Sequence, residues 1–144
     1  MSTTNGTRAL RACAPARNTL VSSFLNLAAT VRKLQALQPT TLLLVCSGTF
    51  EQAAYEDVLC AGACCDRLWQ TYGSGAVADS AWMARQLYHM AHGDLPGALG
   101  QARNGGRLLS RPELRDDVAY CAQVDSLNLA ARLFPDGQVR TEAD

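Results

Sequence analysis

Lysine is almost missing from this chain. Lys33 is the only one among 13 basic residues, so a lysine nucleophile or Schiff base has a single, poorly placed candidate. An excess of one charge is also missing. The 13 basic and 13 acidic residues cancel, and no basic run occurs. That excludes non-specific binding to nucleic acid or to an anionic membrane as the main role. Long apolar runs are absent too: the best, residues 41–46, has the length of a buried strand and not of a membrane span. No apolar region follows Met1-Ser2-Thr3-Thr4-Asn5-Gly6, so a secreted protein is not expected. The six cysteines, Cys13, Cys46, Cys60, Cys64, Cys65 and Cys121, are then expected to be free thiols in a reducing cytoplasm.

Apolar residues make up 48% of the 144, enough for one α/β domain with a real core, and residues 1–144 read as that single domain. A short helix is expected over residues 8–14, limited by Pro15, and a short strand at residues 19–21. Ser22 or Ser23 then caps a helix to about Leu37, with Phe24, Leu27, Val31 and Leu34 as its buried stripe. Residues 41–46 are apolar on both faces, as a central parallel strand covered by helices would be. From about Ala54 to Tyr72 the pattern is helical. Tyr55, Val58, Gly62, Cys65, Trp69 and Tyr72 form one face, and Glu56, Ala63, Arg67 and Gln70 another.

A further helix runs from Asp79 or Ser80 to His92, and a shorter one over residues 94–103 is broken by Gly105 and Gly106. Pro112 opens a helix to about Gln123. Residues 125–144 are weakly patterned, with a turn at Phe134-Pro135-Asp136-Gly137. This order implies a layered α/β/α domain with a mostly parallel sheet. In such sheets ligands gather at the carboxyl ends of strands, which points at Ser47, Gly48 and Thr49.

Two constellations carry the strongest chemistry. Thr3-Thr4-Asn5-Gly6-Thr7-Arg8 packs hydroxyls, an amide, a flexible glycine and a guanidinium into six residues. Converging N–H groups and a helix start suit an anion, and Arg8 suits bidentate pairing to phosphate or sulfonate. A capped turn before a helix uses the same residue types. In the second, Cys46-Ser47-Gly48-Thr49 leads to Tyr55-Glu56-Asp57. The two carboxylates either complement the helix dipole or hold Mg²⁺ and orient water beside a phosphate.

Cys60, Cys64 and Cys65 lack short metal-finger spacing and read as buried thiols. A redox or metal protein built on them is the weakest alternative. His89 and His92 lie one turn apart without an evident third ligand, and Asp116-Asp117 reads as a solvated helix face.

These segments, taken together, resemble one family. Thr3-Thr4-Asn5-Gly6-Thr7-Arg8-Ala9 resembles the T-T-N-G-T-x-A signature of the 2-phosphosulfolactate phosphatases. Residues 21–26, ending in Asn26, resemble the strand-to-helix segment that follows it. Residues 43–49 resemble the family's apolar strand ending in C-A-G-T, with Ser47 in place of Ala. Residues 55–62 resemble its E-D-x-x-x-A-G helix, and residues 116–122 its D-D-[IV]-x-[FY]-C-A segment.

The resemblance implies a Mg²⁺-dependent hydrolase that converts 2-phospho-3-sulfolactate, or a related small phosphorylated acid, to 3-sulfolactate and phosphate, a step of coenzyme M synthesis. It implies that Thr4, Asn5, Gly6, Thr7, Arg8, Ser47, Gly48 and Thr49 bind substrate. Glu56 and Asp57 become the catalytic or metal-holding carboxylates. Family members also carry an N-terminal part with R-A-[ST]-[ST]-T, G-E-R and N-S-P motifs that this sequence does not contain. The alternative expectation is therefore a truncated, non-catalytic remnant that binds anions or forms a homodimer.

Overall fold

The computed structural model describes residues 5–142. Thr3 and Thr4, expected in the first binding loop, lie outside the described residues. The core gathers Phe24, Leu27, Val31, Leu34, Leu59, Ala63, Cys64, Leu68, Leu95, Leu99 and Val118. Helix α1 (Asn5–Cys13) leads to strand β1 (Thr19–Val21). A single 3₁₀ turn over Phe24–Asn26 then feeds α2 (Leu27–Leu37). The expected stripe of α2 is borne out: Phe24, Leu27, Val31 and Leu34 are all buried. Gln38 closes the helix in a left-handed conformation (φ 45°), its N–H reaching Leu34 O.

The entry to α2 is held by buried Asn26. Its Oδ1 accepts from the Ser23 N–H at 2.8 Å, and its Nδ2 donates to Val21 O at 3.1 Å and Leu129 O at 3.3 Å. Asp125 completes the cap from far along the chain. Its Oδ1 accepts from the Ala28 N–H at 2.6 Å, while its Oδ2 takes Arg67 at 2.6 Å. A carboxylate on a first-turn N–H satisfies a donor that the helix itself cannot.

Helix α3 (Tyr55–Tyr72) packs on both α2 and α4 (Asp79–Ala91). Being covered from two sides, it buries Leu59, Gly62, Ala63, Cys64 and Leu68. The face expected from the pattern is rotated as a result. Ala63, assigned to the polar side, is fully buried, while Cys65 and Trp69 are half-buried. A 3₁₀ turn over His92–Asp94 joins α4 to α5 (Leu95–Gln101), which Asp94 caps by accepting from the Gly97 N–H at 2.9 Å.

Gly105 and Gly106 do not break a helix; they lie inside α6 (Arg103–Leu109), and the break falls at Ala102. Gly105 is there for close approach, since a Cβ would meet Leu99 O at 1.8 Å. A 3₁₀ turn over Pro112–Leu114 and α7 (Arg115–Cys121) follow, close to the expected span.

The sheet differs most from expectation. In place of a mostly parallel sheet, the described strands form a three-stranded antiparallel one in the order β1-β2-β3, with β2 at Ala130–Leu133 and β3 at Val139–Glu142. Its two later strands fall in the segment without clear patterning. The hairpin is held at the expected turn, where Gly137 adopts φ 79°, and by Arg132 and Arg140, which lie over the Phe134 ring.

Residues 41–46, read as the central strand, join no ladder among the described residues. Their burial nevertheless alternates with the period of a strand. Leu42 and Leu44 pack on the core, while Leu43 is 80% exposed and Val45 47%.

The neighbouring glycines of α6 separate close packing from helix propensity. Gly106→Ala meets nothing closer than 3.5 Å and is expected to stabilise the protein by roughly 0.5–1 kcal/mol. Gly105→Ala must displace the Leu99 carbonyl and is expected to cost about 1–3 kcal/mol. Urea unfolding of the two variants reads the opposite signs.

Candidate active site at the acidic start of α3

The loop after residues 41–46 folds back on itself. Thr49 N donates to Gln52 O at 3.0 Å and Gln52 N to Thr49 O at 3.1 Å, closing a two-residue turn. Phe50 (φ 51°) and Glu51 (φ 62°) occupy its tip in the left-handed region. Neither residue favours that region, and each costs on the order of 1–3 kcal/mol unless its surroundings enforce it. Gly48 (φ 66°) precedes them, and a Cβ there would lie 2.7 Å from Gln52 O. Only glycine meets both demands.

The first turn of α3 grips this loop. Asp57 Oδ2 accepts from the Gly48 N–H at 2.7 Å and from the Ser47 hydroxyl at 3.1 Å. Glu56 Oε1 accepts from Asn104 Nδ2, which also donates to Thr49 Oγ1 at 2.8 Å. Neighbouring carboxylates on a helix point about 100° apart, and here they reach two parts of one loop. Thr49 is buried, its hydroxyl between Asn104 and the turn.

Two guanidinium groups border the turn. Arg8 of α1 pairs with Glu51 at 3.0 Å, both side chains well exposed. Arg103 donates to Gln52 Oε1 and, at 3.2 Å, to Thr49 O. Both partners of Arg103 are neutral, so its charge is not offset by them.

Of the expected site residues, Arg8, Ser47, Gly48, Thr49, Glu56 and Asp57 therefore come together around one turn. Asn5, Gly6 and Thr7 lie within α1 and not in a turn before it, so the amide-lined nest expected there is replaced by the start of a helix. Arg103 and Asn104 escaped sequence reasoning. The only signal was a polar pair ahead of two glycines, which reads as a helix break.

The other constellations are structural. His89 Nε2 lies 2.9 Å from Asp66 Oδ1, which also takes Arg85 at 2.9 Å, and Arg85 stacks over Trp69 at 4.3 Å. Asp116 and Asp117 are exposed in the first turn of α7. Burial pushes the Cys60 thiol up to about 12, helped by Cys64 and Asp57, and the Cys64 thiol up to about 12, helped by Cys65 and opposed by Arg67. No group of three or more His, Cys, Asp or Glu able to hold a metal occurs among the described residues. These are inert thiols, as the redox and zinc reading would not have them. No helix among the described residues is long and apolar enough to cross a membrane.

The family model for 2-phosphosulpholactate phosphatase matches residues 1–133. The chain belongs to that family. It is 38% identical over 133 residues to a Nostoc punctiforme protein named "Probable 2-phosphosulfolactate phosphatase", covering 90% of this chain and 54% of that protein. Relatives of the same name in Symbiobacterium thermophilum (34% over 137 residues) and Gloeobacter violaceus (36% over 132 residues) are covered over 58% and 53% of their lengths, by 95% and 92% of this chain. The chain thus spans about half the length of the curated relatives it matches.

The thiols generate a prediction. They stay neutral in the fold up to about 12, whereas the unfolded chain ionises near the ordinary value of 9.0. Above that value proton loss favours the unfolded chain, so the contribution of these two thiols to stability is expected to be constant below about pH 9 and to fall as pH rises towards 12. Cys60→Ala with Cys64→Ala should flatten that fall in thermal melts taken against pH.

Proposed function

We propose that this chain carries a phosphate-ester hydrolysis site of the 2-phosphosulfolactate phosphatase type, built on the turn between residues 47 and 52 and the acidic start of α3. The observation that carries the reading is the convergence of two carboxylates, a hydroxyl-rich turn and two guanidinium groups. The substrate we propose is 2-phospho-3-sulfolactate or a related small phosphorylated acid, whose phosphate, carboxylate and sulfonate suit Arg8 and Arg103. The Arg8–Glu51 pair is exposed, and such pairs are worth about 0–1 kcal/mol. A substrate anion can therefore replace Glu51 on Arg8 at little cost. Asn5, Gly6 and Thr7 at the start of α1 complete the proposed substrate contacts with Ser47, Gly48 and Thr49.

The donor set fits Mg²⁺, which prefers oxygen and is commonly held by one or two carboxylates with phosphate and water filling the rest. Glu56 and Asp57 each have one oxygen committed to the loop framework, and their second oxygens are the ones we propose for the metal or for the attacking water. Bound there, Mg²⁺ would neutralise the phosphate and stabilise charge building on the leaving oxygen. In the proposed reaction water adds to phosphorus, the ester P–O bond breaks, and the leaving oxygen takes up a proton to give 3-sulfolactate and phosphate. Asp57 and Asn104 act as positioning residues, holding the turn in its costly conformation so that its hydroxyls and cations face the ester together.

The test is phosphate release from racemic 2-phospho-3-sulfolactate with Mg²⁺. Release is expected, abolished by EDTA and by Asp57→Asn, a change that keeps an acceptor oxygen for the Gly48 N–H and, by removing the charge from the first turn of α3, should lower the melting temperature by only a few degrees. Asn104→Ala should lower kcat/KM about 10- to 100-fold, the value of a hydrogen bond to a charged group. One observation favours a second reading, a non-catalytic remnant: residues 41–46, which lead into the turn, join no sheet among the described residues. A folded chain that binds phosphate and releases none would establish that reading and overturn the first.

A further inference from the structure

The turn from Thr49 to Gln52 has a tip that does not suit its residues. Phe50 (φ 51°) and Glu51 (φ 62°) both stand in the left-handed region, a pairing that usually carries Asn-Gly or Asp-Gly. The ends of the turn are well tied, Thr49 by Asn104 and Arg103, and Gln52 by Arg103. The tip is not. Phe50 is 71% exposed, and among the described residues the Glu51 side chain has one partner, Arg8. That contact is a single bond at 3.0 Å between two side chains open to water. Such a pair is weak, screened by salt and readily exchanged. Backbone strain held by so weak a tie points to a tip with two states.

We propose that Glu51 is an autoinhibitory carboxylate: in the free protein it occupies the anion place on Arg8, and the acid end of the substrate expels it and lets the tip relax out of the left-handed region. This rests on the substrate contacts proposed above and gives one of them a specific guest. Arg8 takes a carboxylate or sulfonate, the groups that are not hydrolysed, because its present guest is itself a carboxylate. A guanidinium binds such a group best through two parallel N–H bonds. Glu51, tethered to the strained tip, accepts one. A free acid group accepts both, and its arrival releases the strain of Phe50 and Glu51. The ends of the turn stay in place, because the ties from Asn104 and Arg103 and the grip of Asp57 on Gly48 do not involve Arg8.

Calorimetric binding of 3-sulfolactate, which carries both acid groups and no phosphate, tests this without any need for turnover. Glu51→Gln removes the competing charge and is expected to tighten binding about two- to fivefold, the range of an exposed pair. In an Arg8→Gln background the same change should have no effect, which separates competition for Arg8 from a general loss of negative charge. Phe50→Asn should act in the opposite direction. Asn tolerates the left-handed region, so the closed tip gains stability: the melting temperature should rise, and 3-sulfolactate should bind more weakly by about twofold or more.

Binding by Glu51→Gln no tighter than by the unaltered chain would overturn the inference, as would a tightening that persists without Arg8. So would a Phe50→Asn chain that melts higher and binds 3-sulfolactate as before, or a failure of every variant to bind it. Tightened binding without phosphate release would uphold the autoinhibitory contact while the proposed activity failed; release by a chain whose binding ignores Glu51 would do the reverse.

Discussion

One carboxylate sets the shape of the site. Asp57 accepts the Gly48 N–H and the Ser47 hydroxyl on a single oxygen, and that attachment fixes where the turn to Gln52 begins. A charged acceptor on a backbone N–H is among the stronger hydrogen bonds a protein makes. It also stands in the first turn of α3, where the helix dipole favours negative charge by roughly 0.3–1 kcal/mol. The helix therefore gains from the same charge that anchors the loop. The structural role of Asp57 and the chemical role proposed for it are two uses of one geometry.

The turn it anchors is costly. Gly48 bears its left-handed conformation freely, but Phe50 and Glu51 do not. Phe50 is 71% exposed, so burial does not compensate it. What holds the turn is a ring of polar attachments: Asn104 on Thr49, Arg103 on Thr49 and Gln52, and Arg8 on Glu51. These come from α1 and α6, elements distant in sequence from the turn. Strain of this kind persists only where the surroundings over-determine it. The attachments are also the groups proposed above to meet an anionic ester.

Much of this was legible in the sequence where one local rule acted alone. The stripe of α2 obeyed its period because its large apolar residues, Leu27, Val31 and Leu34, share one face, while only small Ala29 is buried away from it. The grouping of residues 47–49 with Glu56 and Asp57 followed from chain order, with a strand-like run, a glycine loop and an acidic helix start. The rotated face of α3 was not legible, because a helix squeezed between α2 and α4 buries small residues on two sides and Ala63 carries no signal of its own. Arg103 and Asn104 were missed because their partners lie about fifty residues back, beyond any periodic pattern. The antiparallel hairpin β2–β3 was obscured by arginines, whose guanidinium groups lie over the Phe134 ring while their charges read as polar. Residues 41–46 had the pattern of a paired strand and still have its alternation; only the ladder is absent among the described residues.

The cap on α2 bears on the order in which the molecule forms. The helix begins at Leu27, yet Ala28 is satisfied by Asp125 and the Asn26 amide reaches Leu129. As the polypeptide leaves the ribosome, α2 emerges early with its first N–H groups facing water, and the groups that complete it arrive about a hundred residues later. Closing so long a loop carries an entropic cost that grows only slowly with length but must be met before the contact can form. The start of α2 is accordingly a late-closing seam, and a nascent chain interrupted before Asp125 would hold a frayed α2 however well the rest of the helix packs.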